Sequence, residues 1–339
     1  MPDPGVAGAG LLVEMIIPLT HVHLGRMIFV TEVVAMNLYS LARRFPTEKD
    51  ALDHLVRTRW PKGVHCVACA HGKCWPIEST NKTGGSRRLF QCASCKFQFS
   101  ATTGTLFHDS HLPLSKWFAA ISLMSDAKKG ISASQLGRHL GMTYKTAWYV
   151  AHRIREAMRE AKDIQLGDPD TTVEIDETYL GGHLRHKGSK EAKASKTMVI
   201  GMAERNGRIH LESMSNRQFE SIKPVLDAKL AEDTKEVVTD GNPTYKRLIP
   251  REKHFRGIHR KELAQGVWTT TQTVENAFSL FKRAIVGNYH KLSPWHLDRY
   301  MREFCWRYNR RRVQASIFDL ALASMVSRTP LPYKTLVAF

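Results

Sequence analysis

The chain has 339 residues, of which 42% are hydrophobic and 24% are charged, a composition that excludes wholesale disorder. This length exceeds that of one ordinary domain, so we expect two or three folded units. Fifty Lys and Arg residues against 32 Asp and Glu residues give a formal net charge of +18, which favours a polyanionic partner, above all nucleic acid. Six cysteines in a chain of this length are too few for a disulfide-stapled fold.

Residues 1–45 form a leader whose three basic and three acidic residues cancel, unlike the basic remainder of the chain. Charged residues and histidines interrupt its apolar stretch over 11–36, so we expect no membrane span. The first ten residues carry one charge, at Asp3, which does not match the basic start of a secretory signal. Two interpretations stay open, a loosely packed leader or a translation start at Met36.

Two CxxC pairs separated by 22 residues predict a zinc ribbon over residues 46–108. Four thiolates complete the tetrahedral ligand set of a structural Zn²⁺ ion, and runs typical of strands at 74–77 and 88–91 predict the hairpin between the pairs. The predicted ligands are Cys66, Cys69, Cys92 and Cys95. A redox dithiol or plain buried thiols are the alternatives. The zinc would stabilise a module that is too small to have its own core.

Residues 113–162 have the pattern of a helix-turn-helix segment. Gly141 suits the left-handed end of one helix, and Thr143 is placed to cap the next helix. The helix that Thr143 would cap has a single apolar stripe, which leaves its polar face free for a DNA major groove. The side chains expected on that face are Tyr144, Lys145, Tyr149 and Arg153. A simple three-helix packing unit is the alternative interpretation.

Residues 170–325 alternate short apolar runs with turn signals and then become helical, which predicts an α/β domain. The predicted elements are strands over 172–180, 197–203, 208–212 and 236–239, a helix over 216–232 and an amphipathic helix over 274–285. The dipeptide Asn206-Gly207 predicts a tight hairpin turn between two of the strands.

Three acidic residues occupy distant positions in this domain, with Asp176 inside a strand, Asp240 after a strand and Glu275 on the last helix. A carboxylate in an apolar strand is costly unless positive charge lies against it. Oxygen ligands from separate elements suit Mg²⁺, and two such ions about 4 Å apart serve in-line phosphoryl displacement. We therefore predict that these three acids bind two magnesium ions and carry the catalysis.

The alternative is that Asp240 only opens a turn and Asp176 is a partly exposed strand residue. Glu174 and Glu177 are expected on other faces or at the strand edge, so they are weaker candidates, although Glu177 could still be a neighbouring ligand.

The basic C-terminal region is expected to contact DNA phosphates. Residues 246–312 hold 16 basic and five acidic residues with aromatic residues interleaved, a pattern that favours phosphate contact over a merely solvated face. Lys282 and Arg283 would lie nearest the chemistry, with Lys282 orienting a phosphate close to the scissile bond. Residues 181–196 are rich in Gly, Ser and Lys, which predicts a mobile basic loop.

Several of these motifs resemble the DDE transposases of bacterial insertion sequences, in particular the ISXO-like group, over residues 45–325. The motifs are TVEIDETYLGG at 172–182, VTDGN at 238–242, TVEN at 273–276, FKR at 281–283, Trp60-Pro61 before Cys66, YHKLS at 289–293, and Glu303 with RYNR at 307–310. One position departs from the group, because Gln272 stands where an Asn is common. This leaves Glu275 as the better third acid.

The resemblance implies an RNase-H-like catalytic domain, a mixed sheet flanked by helices, preceded by the zinc ribbon and the helix-turn-helix segment. It also implies dependence on Mg²⁺ or Mn²⁺, cleavage of insertion-sequence ends, and joining of the freed 3′-OH to target DNA. The expected partners are terminal inverted repeats and target DNA, bound by a homodimer or larger assembly because two ends must meet. A cytoplasmic, nucleoid-associated bacterial protein is expected.

Two other functions remain compatible with the sequence. One is a transcriptional regulator whose ribbon and helices bind DNA. The other is an RNase-H-fold nuclease without strand transfer.

Overall fold

The structure is a computed structural model that describes residues 36–80, 86–181, 196–257, 270–313 and 316–338. The leader through residue 35 lies outside the described residues, as does the predicted basic loop except for its two end residues. The expectations for these two segments therefore stay predictions.

The cysteine-bearing segment folds into a small antiparallel sheet with the order β1-β2-β3. Its strands are β1 (Cys74–Thr80), β2 (Ser86–Cys92) and β3 (Gln98–Phe99). The predicted hairpin is confirmed, since β1 pairs with β2 along its whole length. The indole of Trp60 packs against the rings of Phe90 and Phe99, with centroid distances of 5.6 and 5.8 Å. This aromatic contact joins the ribbon to the helix that precedes it.

Five helices form the N-terminal helical layer, and the predicted helix-turn-helix is present. They are α1 (Leu38–Arg44), α2 (Glu48–Arg59), α3 (Leu114–Asp126), α4 (Ala133–Leu140) and α5 (Tyr144–Ala157). Gly141 ends α4 with φ of 59°, a left-handed conformation that favours glycine. The Thr143 hydroxyl accepts a hydrogen bond from the Thr146 N–H at 3.3 Å, so it caps α5 as the sequence predicts.

The α/β part is built on a five-stranded mixed sheet with the order β6-β5-β4-β7-β8. The strands are β4 (Thr172–Leu180), β5 (Thr197–Glu204), β6 (Ile209–Met214), β7 (Glu236–Thr239) and β8 (His254–Arg256). Strands β4, β5 and β6 are antiparallel, whereas β7 and β8 run parallel to β4. Asn206, with φ of 61°, makes the predicted hairpin turn between β5 and β6.

Helices cover both faces of this sheet, which confirms the predicted α/β class. On one face lie α6 (Phe219–Lys229) and α7 (Tyr245–Leu248), packed against Val173, Ile175 and Ile200. On the other face lie α8 (Gln272–Ala284), a π-helical turn at Ile285–Tyr289, and α9 (Pro294–Asn309). Each face of the sheet therefore has its own apolar core.

The last two helices, α10 (Ile317–Ser327) and α11 (Tyr333–Val337), return to the N-terminal helical layer. The ring of Phe318 on α10 lies 5.5 Å from the ring of Phe118 on α3. Residues up to 325 were expected within the catalytic unit, but α10 buries its apolar face against α2, α3 and α5. Across the described ranges, no helix combines the length and apolarity needed to cross a membrane.

A buried ion pair joins α5 to α9 and so fixes the helix-turn-helix segment to the sheet. The Nε of Arg155 donates to Glu303 at 2.7 Å, and these side chains are 1% and 0% exposed. A second cation, Arg307, lies 3.3 Å from the same carboxylate, and the Arg155 guanidinium lies 4.0 Å from the centroid of the Tyr300 ring. One carboxylate thus neutralises two buried guanidinium groups.

Replacing Glu303 by Gln is expected to destabilise the protein strongly, because Arg155 and Arg307 would keep buried charges without a counterion. Loss of one partner of a buried pair costs about 3–5 kcal/mol. The control Asp227→Asn breaks the exposed Lys223–Asp227 pair, whose side chains are 48% and 61% exposed, and should cost about 0.5 kcal/mol or less. Urea unfolding measures both variants, and equal losses would contradict this assignment.

Candidate active site and metal centres

Four thiols of the ribbon converge in the arrangement that zinc requires. The Sγ atom of Cys66 lies 3.6 Å from that of Cys95, and the Sγ atom of Cys69 lies 3.6 Å from Cys92 and 3.4 Å from Cys95. Zn–S bonds of about 2.3 Å place tetrahedral sulfur atoms about 3.8 Å apart. The observed separations are far longer than a disulfide bond of about 2.05 Å. These residues therefore fit one structural zinc ion.

The environment of Cys92 also favours the thiolate that a metal binds. Desolvation opposes ionisation, but backbone N–H groups of Cys95 and Ser94 and neighbouring thiols lower the pKa of Cys92 to about 6. Cys74 lies outside the four-thiol group, and burial is the main cause that raises its pKa. The two cysteines face each other across the hairpin, so Cys74 is a close control for Cys92.

The parallel pairing of β4 with β7 brings two of the predicted acids together. Ile175 pairs with Thr239, so the next residues, Asp176 and Asp240, lie side by side where β7 ends. Carboxylate oxygens of Asp176, Glu177 and Asp240 all lie within 4.8 Å of one another. Mg–O bonds of about 2.1 Å place oxygens on opposite sides of an ion about 4.2 Å apart. The chemistry and spacing of this group therefore fit a divalent cation.

A glycine allows α8 to pack closely against the sheet beside Asp176. Gly201 pairs with Asp176 across β4 and β5, and a Cβ atom there would lie 2.5 Å from Phe278 and 2.8 Å from Val274. Because glycine lacks this atom, the helix that carries Glu275 can approach the strand. Glu275 and Asp176 line one open cavity of about 450 Å³.

The structure places the predicted basic residues in this same cavity. The Nζ atom of Lys282 donates to the Thr178 hydroxyl at 2.6 Å, and Nη1 of Arg283 donates to the Ser279 hydroxyl at 3.0 Å. Both cations line the cavity with Asp176 and Glu275. Glu275 lies outside the tight acidic group, and its Oε1 accepts from the Thr271 hydroxyl at 2.7 Å.

Burial and, after it, the neighbouring carboxylates make Asp176 a weaker acid than an exposed aspartate. Burial, followed by the charges of Glu177, Asp240 and Glu275, raises the pKa of Asp176 to about 6. The backbone N–H of Glu177 donates to Asp176 Oδ1 at 2.8 Å and partly offsets this effect. A bound cation would relieve the same repulsion.

Glu177 is more central than the sequence suggested. Its side chain is fully buried, Tyr245 donates a hydrogen bond to Oε1, and Arg217 Nη2 lies 2.8 Å from Oε2. Strand alternation points Glu177 away from Asp176, yet its carboxylate still reaches the acidic group beside the end of β7. The only sequence signal was its position directly after Asp176.

Glu174 has a structural role that the sequence analysis missed. Its Oε2 atom accepts the backbone N–H groups of Thr273 and Val274 at 2.6 and 3.2 Å, and Arg205 Nε donates to its Oε1 at 2.9 Å. The carboxylate thus satisfies N–H groups at the start of α8, where negative charge is favourable. Glu174 therefore positions the helix that carries Glu275. The expectation that Glu174 lies on another face or at the strand edge is wrong, because a two-residue spacing places Glu174 and Asp176 on the same face of β4.

The face of α5 that was expected to be free for DNA is only partly accessible. Tyr144 is 63% exposed and Lys145 is also exposed. The prediction that Arg153 is accessible is wrong, because the residue is 4% exposed and its Nη2 atom donates to the Tyr149 hydroxyl at 2.6 Å. Tyr149 in turn donates to the Leu331 carbonyl at 2.7 Å, so the C-terminal segment covers this part of the helix.

Part of the basic C-terminal region neutralises acids inside the protein. Arg310 pairs with Glu160, and Arg299 Nη1 lies 2.6 Å from Glu156. Glu156 lies in the last turn of α5, and Glu160 follows that helix. These arginines therefore contribute to the joint between α5 and α9, so the excess charge of this region overstates the cations available to phosphates.

Comparison with known proteins gives two family matches. Residues 46–98 match the transposase zinc-ribbon domain, and residues 166–309 match the ISXO2-like transposase domain. A Halobacterium salinarum protein described as "Uncharacterized protein in transposable element ISH50" is 31% identical over 157 residues, which are 45% of this chain and 49% of that protein. The chain thus spans about half the length of this curated relative. All four predicted catalytic residues lie within the second matched range.

Replacing Cys92 by Ser is expected to lower bound zinc from about one ion per chain to near zero, because three thiolates do not complete the ligand set. Cys74→Ser should keep the zinc, since Cys74 lies outside the four-thiol group. Elemental analysis of the purified variants checks both outcomes. Equal zinc content in the two variants would contradict the assigned ligands.

Replacing Asp176 by Asn is expected to raise the Tm of zinc-loaded protein at pH 7.5 when Mg²⁺ and Mn²⁺ are absent. The folded-state pKa of about 6 lies above the usual 3.8, so the wild type loses stability as pH rises from about 4 through 6. The Tm advantage of the variant should grow over that interval and stay constant above it, by about 2–4 °C for each kcal/mol.

Thermal unfolding at a series of pH values measures this difference, with Asp227→Asn as the exposed control. Added Mg²⁺ should stabilise the wild type and not Asp176→Asn, because ligand binding to the folded state raises its stability. A Tm difference that does not change with pH would show that burial and the neighbouring charges do not raise the pKa of Asp176 in the folded protein.

Proposed function

The chain belongs to the ISXO2-like transposase family, and on that premise we propose that it cleaves the ends of an insertion sequence and joins the freed 3′-OH to target DNA. The observation that carries the proposal is the convergence of acids from β4, β7 and α8 beside Lys282. Such a group has no evident use in a DNA-binding regulator. The proposed units are a zinc ribbon over 46–108, a helix-turn-helix over 113–162 and a catalytic domain from residue 170.

Asp176 is proposed to be a ligand of both metal ions. Asp176, Asp240 and Glu177 would hold one divalent ion, and Asp176 with Glu275 would hold a second. When bound, Mg²⁺ or Mn²⁺ neutralises charge on the scissile phosphate and makes water or a 3′-OH a better nucleophile. The protein side chains supply no covalent nucleophile in this scheme.

The remaining residues of the site bind and orient the DNA. Thr178 holds the ammonium group of Lys282 in the cavity, where it can pair with a phosphate near the reacting bond. Arg283 lies beside it and extends the positive surface. Glu174 keeps the start of α8 in place, so that Glu275 faces Asp176 across the cavity.

The DNA-reading surface is proposed to lie at the N-terminal end of α5. Tyr144 and Lys145 are exposed there, and the first residues of a recognition helix are those that contact base edges in helix-turn-helix proteins. The proposed ligands are terminal inverted repeats and target DNA. Because two ends must be joined, the proposed assembly is at least a homodimer. Since the proposed substrate is DNA, the proposed location is the cytoplasm, in association with the nucleoid.

The test uses a labelled duplex that carries the DNA flanking the gene, incubated with Mg²⁺ and a target plasmid. Asp240→Asn should bind this duplex like the wild type but cleave it about 10³-fold more slowly, a loss of about 4 kcal/mol in transition-state stabilisation. Asp227→Asn, an exposed carboxylate on α6, should cleave at the wild-type rate.

The products separate the three possible functions. Joined donor–target DNA supports the transposase, and cleavage without joining indicates a nuclease. Binding without metal-dependent cleavage by the wild type indicates a regulator. Near-normal cleavage by Asp240→Asn would contradict the assigned active site.

A further inference from the structure

One arginine reaches into the acidic group from a loop that the sequence motifs do not include. Arg217 lies between β6 and α6, and its Nη2 atom is 2.8 Å from Glu177 Oε2 and 3.6 Å from Asp240 Oδ2. A single nitrogen therefore lies against two of the three carboxylates that fit a divalent cation. It supplies positive charge where the proposed function requires a metal ion.

The side chains of this ion-pair group differ in their exposure to solvent, which allows the arginine to be replaced by a metal ion. The Glu177 side chain is 0% exposed, whereas those of Asp240 and Arg217 are 33% and 42% exposed. The carboxylate is fixed, since Tyr245 donates to its other oxygen. Arg217 has a long side chain with access to solvent, so rotation about its own bonds can withdraw the guanidinium group without moving the acids.

The backbone around Arg217 is held independently of its guanidinium group. Asn216 accepts the Gln218 N–H at 2.9 Å, and the Arg217 carbonyl accepts the Thr244 hydroxyl at 3.4 Å. These contacts keep the loop beside the segment that follows Asp240. The side chain can therefore leave and return while the loop stays in place.

Arg217 and a divalent ion cannot both occupy the space between these oxygens. An ion at about 2.1 Å from Oε2 of Glu177 would lie within a few ångströms of Nη2, where like charges repel strongly in a partly buried site. Each cation stabilises the same crowded acids. Binding of one therefore requires departure of the other.

We propose that Arg217 is an exchangeable counterion, which neutralises Glu177 and Asp240 in the metal-free chain and is displaced when a divalent ion binds. The inference rests on the proposed metal site. Arg217 acts on the site through its charge, which competes with the ion for the same carboxylates. Metal affinity is lowered by the cost of breaking these ion pairs.

The test is a Mn²⁺ titration of the full-length, zinc-loaded protein, followed by the electron paramagnetic resonance signal of free Mn²⁺. Arg217→Gln should bind Mn²⁺ about tenfold more tightly than the wild type, since the competing charge is gone. Arg217→Lys keeps the charge and should stay near the wild-type affinity. Arg208→Gln is the matched control, because Arg208 is 43% exposed and pairs with Glu204, outside the site.

The outcomes separate this inference from the metal site on which it rests. Equal or weaker Mn²⁺ binding by Arg217→Gln, with wild-type binding that Asp176→Asn abolishes, overturns the counterion role alone. Absence of Asp176-dependent Mn²⁺ binding in both the wild type and Arg217→Gln overturns the counterion role and the proposed metal site together. Tighter binding by Arg217→Gln and not by Arg208→Gln supports the exchange.

Discussion

Repulsion among partly buried carboxylates, where β7 ends beside the middle of β4, is the constraint on which the rest of the site depends. Asp176, Glu177 and Asp240 crowd together because a parallel strand pair ends there, and Glu275 approaches from α8 across Gly201. Water is partly excluded, so their charges are poorly screened. Hydrogen bonds and the charge of Arg217 partly offset the repulsion among these carboxylates, and a divalent cation would offset it more completely.

The surrounding structure holds these acids in place against their repulsion. Glu174 ties the start of α8 to β4, and Tyr245 fixes Glu177 from the opposite side of the sheet. Farther away, the buried Arg155–Glu303 pair locks α5 onto α9, which packs on the same face of the sheet as α8. The helix-turn-helix segment is therefore tied by a buried ion pair to the layer that carries Glu275.

Local sequence signals predicted much of the fold because they act over short distances. Gly141 and Thr143 define the turn before α5, and Asn206 defines the hairpin between β5 and β6. The strand that ends before Asp240 was also apparent from its short apolar run. The packing of α10 was not predictable in this way, since an apolar helix face does not specify which distant helices cover it.

In the candidate site too, local sequence signals identified some residues, whereas others depend on long-range packing. The three predicted acids and Lys282 were recognisable from residue type and motif, and the structure places them around one strand end and one cavity. Glu177, Glu174 and Arg217 gain their positions from long-range pairing, which strand alternation alone does not reveal. The prediction that Arg153 is exposed failed because Leu331, nearly 180 positions later, lies over the same helix face.

The most direct test of the converging acids is a crystal structure of the zinc-loaded protein soaked with Mn²⁺, with anomalous scattering used to locate the metals. We predict a Mn²⁺ peak bound by oxygens of Asp176 and Asp240, in addition to the zinc peak at the four ribbon cysteines. A zinc peak at the ribbon with no Mn²⁺ between those two aspartates at saturating concentration would contradict the account.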